Sequence, residues 1–175
     1  NRDHPDDPFQ PYGATVGHAL EWSRLLLHLH ASVHSAPTWL IEAAIALFDR
    51  GVEDGWATDG EPGFVYTTDW DGQPVVRDRM HWVAAEAISA GAALYRHTGE
   101  ARYAELCRSW WGYVERYLID REAGSWHHQL DAKNRPIATV WPGKPDLYHA
   151  VQATLIPRLP LAPSLASAIA AEAVT

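Results

Sequence analysis

Residues 79–119 read RMHWVAAEAISAGAALYRHTGEARYAELCRSWWGYVERYLI. They contain two predicted helical segments that are separated by a glycine. We predict a helix over 79–97 that Gly99 ends, because glycine is the residue most often found just past a helix C-terminus. A second helix is predicted over 100–119, and it starts almost at once. Because so short a connection joins antiparallel neighbours, the stretch predicts a helical hairpin.

Further helices are predicted on both sides of this hairpin. In the first of them, Ala19, Trp22, Leu26 and Leu29 recur at three- and four-residue spacing, which predicts a buried apolar stripe. The additional predicted helices cover residues 15–32, 38–55, 146–157 and 164–175. Helices therefore dominate the predicted fold.

Two strand–turn–strand segments lie between the helix pairs, at 64–76 and 125–138. The first contains Asp71-Gly72, a dipeptide that favours a tight hairpin turn. Each hairpin is too small to form a sheet of its own. We interpret both as insertions into a helical framework.

The order of helix, helix and hairpin repeats along the chain, and each repeat restarts with a histidine. The three histidines, His18, His81 and His149, stand at predicted helix entrances, and a polar residue follows each of them. Repeated helical hairpins stack into solenoids or toroids, whose alternate helices line the inner wall. We therefore predict that the three entrances face one common mouth. The polar residues that follow are Glu21, Glu86 and Gln152.

Composition and charge limit the classes of protein to which the chain can belong. The chain has 175 residues, which fits one domain over 1–175 with a loop over 1–14 leading into the first helix. The net charge of −8 argues against binding to nucleic acid or to anionic membranes. One cysteine, Cys107, excludes an internal disulfide and a cysteine-rich zinc module. We interpret Cys107 as a buried apolar residue.

The start of the chain bears on targeting. The first residue is Asn1, and the opening NRDHPDDPFQPYG is polar and proline-rich, so we interpret the chain as a fragment of a longer protein. We find no basic start followed by an apolar stretch, which predicts no signal peptide. No apolar run approaches the roughly 18 residues that span a bilayer. We expect a cytoplasmic protein without a membrane partner.

Nine tryptophans and ten histidines favour an acid–base enzyme or a carbohydrate binder. Histidine titrates near neutral pH, and tryptophan faces suit sugar rings. His18 and Glu21 are three residues apart and share a helix face. A carboxylate beside an imidazole orients the ring and raises its basicity, as a general base requires. The alternative is a histidine that caps the helix start, with Glu21 in solvent.

Residues 141–153 read WPGKPDLYHAVQA. Several polar residues lie close together in this segment, among two prolines and a glycine, and this composition suits a ligand pocket. Asp146 is placed to cap the following helix. Trp141 suits the core equally well. Packing does not explain His149 in the first helical turn.

The segment RDRMHW, residues 77–82, offers two further candidates. Trp82 could stack on a sugar face, and His81 could bind hydroxyl groups. Packing in the core is the commoner outcome for a tryptophan of this kind.

Other histidines suggest a metal site only weakly. His30 and His34 are four residues apart, a spacing that can bind zinc, but no third ligand converges on them. His127 and His128 fall in a predicted hairpin, where alternate residues face opposite sides, so both cannot point into one site. We therefore predict no metal site.

The segments 13–27, 77–87 and 143–155 read GATVGHALEWSRLLL, RDRMHWVAAEA and GKPDLYHAVQATL. They resemble the C-terminal half of the N-acylglucosamine 2-epimerase superfamily, in particular its aldose–ketose isomerase branch, the mannose isomerases. The resemblance implies an all-α fold, an (α/α)6 barrel. This chain would hold about half of that barrel, with short β-hairpin insertions.

The resemblance also implies a reaction without a cofactor. The open-chain sugar loses its C2 proton, and the enediol returns it to C1 to give the ketose, or to the other face of C2 to give the epimer. By motif position, His18 and His149 are the acid and base, and Glu21 is the carboxylate after the first. The residues implied or considered as sugar contacts are Trp82, His81, Gln10, Trp141 and Asp146.

Two positions depart from the pattern that the resemblance implies. Gln10 precedes PYG where relatives often have arginine, so the resemblance does not imply the hydroxyl contact of that arginine here. Pro145 stands where sulfoquinovose isomerases tend to have glutamine, which disfavours a sulfosugar substrate.

Three functions stay open at this point. The first is an aldose–ketose isomerase of the mannose-to-fructose type, and the second is a 2-epimerase acting on N-acylglucosamine or a free hexose. The third is a carbohydrate-binding or inert half barrel that depends on a partner chain or on a missing N-terminal half. The expected partners are a small sugar and that second half.

Overall fold

The computed structural model describes residues 3–4 and 7–172, and within them all six predicted helices are confirmed. A π-helical turn, Val114–Leu118, continues the fourth helix. Parts of two predictions, the opening loop at 1–2 and 5–6 and the terminal helix at 173–175, lie outside the described residues. The helices are α1 (Val16–Ser32), α2 (Trp39–Gly55), α3 (His81–Thr98), α4 (Ala101–Tyr113), α5 (Leu147–Leu155) and α6 (Leu165–Glu172).

The helix ends follow local rules. Gly99 takes a left-handed conformation with φ of 74° directly after α3, and its N–H donates to Tyr95 O at 2.8 Å. This glycine cap leaves room for α4 to begin two residues later. Asp146 caps α5 by accepting a hydrogen bond from the Tyr148 N–H at 2.8 Å. The predicted roles of Gly99 and Asp146 as caps are therefore confirmed.

The helices form two layers. In the inner layer, α3 lies between α1 and α5 and packs against both. In the outer layer, α2 packs on α1, and α4 packs on α3. Small residues such as Gly91 let α3 approach its outer partner closely, since a Cβ there would lie 2.7 Å from Cys107 Sγ. The predicted alternation of inner and outer helices is therefore present.

Two three-stranded antiparallel sheets hold the entrances of α1 and α3. The first joins β1 (Ala14–Thr15), β2 (Thr67–Thr68) and β3 (Pro74–Val76), and the second joins β4 (Arg79–Met80), β5 (Gln129–Leu130) and β6 (Pro136–Ile137). In each sheet, a predicted hairpin pairs with the residues directly before an inner helix. The prediction that α3 begins near Arg79 is wrong by two residues, because Arg79 and Met80 pair with the second hairpin.

The stripe predicted on α1 is buried only in part. Leu26 is buried, whereas Trp22 is 56% exposed and Leu29 is 48% exposed. The buried residues of α1 are instead Val16, Gly17, Leu20, Ser23, Arg24, Leu26 and Leu27. Helical periodicity detects apolar faces, and α1 has two of them. The periodicity alone does not show which of the two faces packs against a neighbouring helix in this chain.

Among the described residues, no helix combines the length and apolar composition of a membrane span.

The Cys107 thiol should react slowly while the protein is folded. Burial raises its pKa from 9.0 to about 12, and the thiol donates to Ile88 O at 3.5 Å. Because the thiolate is the reactive form, we expect iodoacetamide at pH 8 to modify Cys107 at least about 100-fold more slowly in the native protein than in denaturant. Peptide mass spectrometry on the full-length protein measures both rates. Equal rates would contradict the assigned environment.

Candidate active site

The entrances of the three inner helices meet around the indole ring of Trp82. Its centroid lies 5.2 Å from that of His18, on α1, and 6.0 Å from that of His149, on α5. The His81 and His149 rings are 5.7 Å apart and nearly perpendicular. The structure thus brings together four of the predicted site residues, with His18 exposed and His81 buried beneath the others.

Gly17 makes the position of Trp82 possible. A Cβ at Gly17 would lie 2.3 Å from Cζ3 and 2.5 Å from Cη2 of that indole. Any side chain at this position therefore displaces the ring. The GH pair at the start of α1 is thus a packing requirement as well as a source of an imidazole.

Replacing Gly17 by alanine should lower kcat/KM for any reaction that the full-length protein catalyses at this site. The displaced indole no longer keeps its place beside His18 and His149, and a misplacement of about 1 Å can cost roughly 100-fold in rate. We expect a loss of at least about tenfold in the full-length protein. Gly112→Ala, on α4, is the matched control, because its Cβ meets nothing within 4 Å. A Gly17→Ala variant with full activity would contradict this packing argument.

Two carboxylates face the His149 ring, one beside each nitrogen. Nε2 lies 4.0 Å from Glu86 Oε1, and Nδ1 lies 3.8 Å from Asp146 Oδ1. Asp146 is held by its role as the α5 cap, and Glu86 is fully buried on α3. The two carboxylates therefore flank the ring, one near each nitrogen, at distances longer than a hydrogen bond.

Below His149, the three inner helices each contribute one buried polar residue to a hydrogen-bonded group. Arg24 donates to Glu86 through Nε at 3.0 Å and Nη2 at 3.2 Å. Gln152 Nε2 donates to Glu86 Oε1 at 3.3 Å. The two hydrogen bonds between the Arg24 guanidinium and the Glu86 carboxylate give each buried charge a partner, without which its burial would be costly.

Glu21 does not take part in this group. It is half-buried on α1, and no hydrogen bond or ion pair joins it to His18 in the described residues. The repeat pattern had marked Glu86 and Gln152, which the structure places below His149. On α1 the corresponding residue is Arg24. A prediction of which face of α1 is buried would have identified Arg24, because it is an arginine in an otherwise apolar helix turn.

His81 is held in its neutral form. Burial, together with the neighbouring His128 and His149 rings, lowers the pKa of His81 from 6.5 to about 4. Its Nδ1 lies 3.3 Å from His128 O. Since His81 is only 1% exposed, its contact with a sugar stays a prediction.

The pair His127 and His128 behaves as strand alternation predicts. The His128 ring packs 4.9 Å from that of His81 and stacks on Trp141 at 5.9 Å. His127 instead lies 3.9 Å from Asp120. Sequence reasoning had set both histidines aside, but one of them does reach the site.

The remaining predicted contacts lie at the rim. Trp141 is exposed, and its ring packs edge-on against Phe9 at 5.1 Å. Gln10 is exposed, and its backbone N–H donates to Asp7 at 2.9 Å. The same loop lines a cavity of about 320 Å³. Tyr66, in the wall of that cavity, lies 6.1 Å from the Trp82 ring, so the cavity adjoins the site.

Comparisons with known proteins show the family of the chain. The model of the family described as N-acylglucosamine 2-epimerase (GlcNAc 2-epimerase) matches residues 1–153. The D-mannose isomerase of Thermobifida fusca is 54% identical over 171 residues, which cover 97% of this chain and 42% of that protein. The D-mannose isomerase of Pseudomonas cannabina pv. alisalensis is 53% identical over 174 residues, with the same coverage. The chain thus spans about two fifths of the length of these relatives.

Solved structures show the same fold. A crystal structure of D-mannose isomerase superposes with a TM-score of 0.81 at 30% identity, over 90% of this chain and 40% of that one. Cellobiose 2-epimerase from Spirochaeta thermophila DSM 6192 superposes with a TM-score of 0.65 at 23% identity, over 85% of this chain and 38% of that one. The second likeness concerns the fold alone. Together they confirm the predicted helical-barrel fold, of which this chain is a part.

Proposed function

Because the chain belongs to the N-acylglucosamine 2-epimerase family, we propose that it carries the acid–base residues of a sugar isomerase that interconverts D-mannose and fructose without a cofactor. The observation that supports this most is the placement of two imidazoles, His18 and His149, with centroids 5.2 Å and 6.0 Å from that of one indole ring. Relatives that are 54% and 53% identical are named D-mannose isomerase.

The proposed reaction moves protons between neighbouring carbons. One imidazole takes the proton from C2 of the open-chain aldose, and the carbonyl oxygen O1 gains a proton, which gives an enediol. The O2 hydroxyl then loses its proton as C1 receives one, and the ketose results. A positioned acid or base contributes roughly 10²–10⁴ in rate.

The surroundings of His149 suit this task. Glu86 and Asp146 balance the charge that the ring acquires when it takes up a proton. Trp82 offers an apolar wall that can hold the sugar face and exclude water. Glu21 keeps its proposed catalytic role only through motif position. The roles of His81, Gln10 and Trp141 as sugar contacts are likewise proposals.

A 2-epimerase is the second candidate. Two imidazoles, His18 and His149, lie beside the same indole ring, so two groups that can exchange protons are available to one sugar. Return of the proton to the opposite face of C2 would convert mannose into glucose. The choice depends on which carbon of the enediol faces the protonated imidazole.

Incubating the full-length protein with D-mannose in D₂O distinguishes these reactions. We expect fructose that carries deuterium at C1, measured by chromatography and NMR, because the transferred proton exchanges with solvent on the imidazole. Glucose as the sole product would favour the epimerase. Absence of both products and of deuterium incorporation would contradict both, and would favour a non-catalytic carbohydrate-binding role.

The rest of the barrel is needed to close the site. The exposed residues Trp22, Leu25 and Leu29 form an apolar strip along α1. Exposed apolar strips of this kind mark surfaces that another element covers. We propose that the remaining part of the barrel, from further sequence or from a partner chain, packs on this strip.

A further inference from the structure

Three potential metal ligands converge beside the proposed acid–base pair. One ligand atom from each of His81, Asp146 and His149 lies within 4.8 Å of the other two. His81 opens α3, whereas Asp146 and His149 belong to the cap and first turn of α5. The prediction of no metal site considered His30, His34, His127 and His128, whereas His81 is far in sequence from Asp146 and His149, and only the fold brings it beside them.

The two imidazoles are incompletely satisfied. His81 Nε2 and His149 Nδ1 are buried and have no hydrogen-bond partner among the described residues. Buried polar atoms without a partner are uncommon, so each requires an explanation. For His81 the explanation is not contact with bulk solvent, since the side chain is only 1% exposed.

The opposite nitrogen of each ring already faces an acceptor. His81 Nδ1 lies 3.3 Å from the backbone oxygen of His128, and His149 Nε2 lies 4.0 Å from Glu86 Oε1. Metal-binding histidines typically direct one nitrogen to the metal and the other to a carbonyl or carboxylate group. Both rings therefore have the surroundings of metal ligands.

We propose that His81, Asp146 and His149 bind a divalent transition-metal ion of the zinc class, with a fourth position open to water. Two imidazoles and one carboxylate are a ligand set that zinc accepts. Bonds of about 2.0 Å place tetrahedral ligand atoms about 3.3 Å apart, whereas these atoms lie within 4.8 Å of one another, so the group must contract by up to about 1.5 Å. Asp146 Oδ1 already lies 3.8 Å from His149 Nδ1, and the half-exposed Asp146 carboxylate has a second oxygen besides the Oδ1 that caps α5.

Metal binding and catalysis would exclude each other. With Nδ1 on the metal and Nε2 directed at Glu86, the His149 ring has no nitrogen left to exchange a proton with a sugar. Zinc should therefore inhibit the enzyme and should compete with substrate. This inhibition depends on the proposed role of His149, whereas the binding itself does not.

Titration of the metal-free full-length protein with Zn²⁺ alone, followed by calorimetry, tests the binding. We expect Asp146→Asn to weaken binding at least about tenfold, and His149→Gln to weaken it more, since loss of even an outer ligand partner costs about 10- to 100-fold. Asparagine also caps helices, so Asp146→Asn preserves the start of α5. Co²⁺ in place of Zn²⁺ should give visible absorption bands that both variants lose.

The matched control is His30→Gln. The His30 and His97 rings lie 5.6 Å apart and are the competing pair of surface imidazoles. We expect this variant to bind Zn²⁺ as the unmodified protein does. The proposal is overturned if the unmodified protein does not bind Zn²⁺, if Asp146→Asn and His149→Gln bind it undiminished, or if His30→Gln abolishes binding. None of these readouts requires turnover, so they are independent of the proposed isomerase activity.

Discussion

Replacing His149 by glutamine should slow the exchange of the C2 hydrogen of D-mannose at least about 100-fold, because a positioned acid or base contributes roughly 10²–10⁴ in rate. Glutamine keeps a polar side chain beside Glu86 and Asp146 but cannot take up a proton. The exchange is measured in D₂O by NMR on the full-length protein. Exchange of the C2 hydrogen depends only on the first proton transfer. Its rate therefore reports on removal of the C2 proton, whichever product then forms.

His18→Gln should cause a loss of similar size if both rings carry protons. His34→Gln is the control, since His34 is exposed beyond the far end of α1, about 25 Å of helix away from its start. Its exchange rate should match that of the unmodified protein. Undiminished exchange in either active-site variant would remove that histidine from the mechanism.

Replacing Glu86 by alanine should lower the free energy of unfolding by about 3–5 kcal/mol. The substitution leaves the Arg24 guanidinium buried without its carboxylate, and Gln152 also loses an acceptor. Denaturant unfolding of the full-length protein measures the change. An effect below about 1 kcal/mol, the size seen for exposed pairs, would contradict the buried pairing.

Asp49→Ala is the matched control for Glu86→Ala. Asp49 pairs with Arg102 at 2.9 Å, but both side chains are 45% exposed, so the loss should stay below about 1 kcal/mol. A double variant, Arg24→Met with Glu86→Leu, should recover much of the stability, because apolar replacement of a buried pair is often neutral. Recovery of stability without recovery of exchange would show that Glu86 positions His149 for catalysis.

Much of the helical framework could be predicted from local sequence. Gly99 and Asp146 mark helix ends through backbone rules that act within a few residues, and both functioned as expected. The start of α3 was misplaced because Arg79 and Met80 are held by a distant hairpin. Pairing between remote segments leaves no mark on the local pattern.

The part of the candidate site that could be predicted is the part formed by the repeated helix entrances, each of which carries a histidine. Equivalent histidines at successive helix entrances had to meet once the helices stacked, and the structure places the rings of His18 and His149 beside Trp82. The choice of Glu21 rested on spacing within a single helix. Which side of α1 faces inward depends on its neighbours, and that side carries Arg24 instead.

The sheets hold the residues that directly precede α1 and α3, the helices that carry His18 and Trp82. Their short strands anchor the helix entrances, whereas exposed turn residues such as Asp71 and Lys133 lie at the tips of the hairpins. Exposed tips are where chains accept insertions most readily. Hairpin tips could therefore be lengthened or exchanged while the strands keep the helix entrances in place, which makes these two loops natural starting points for engineering.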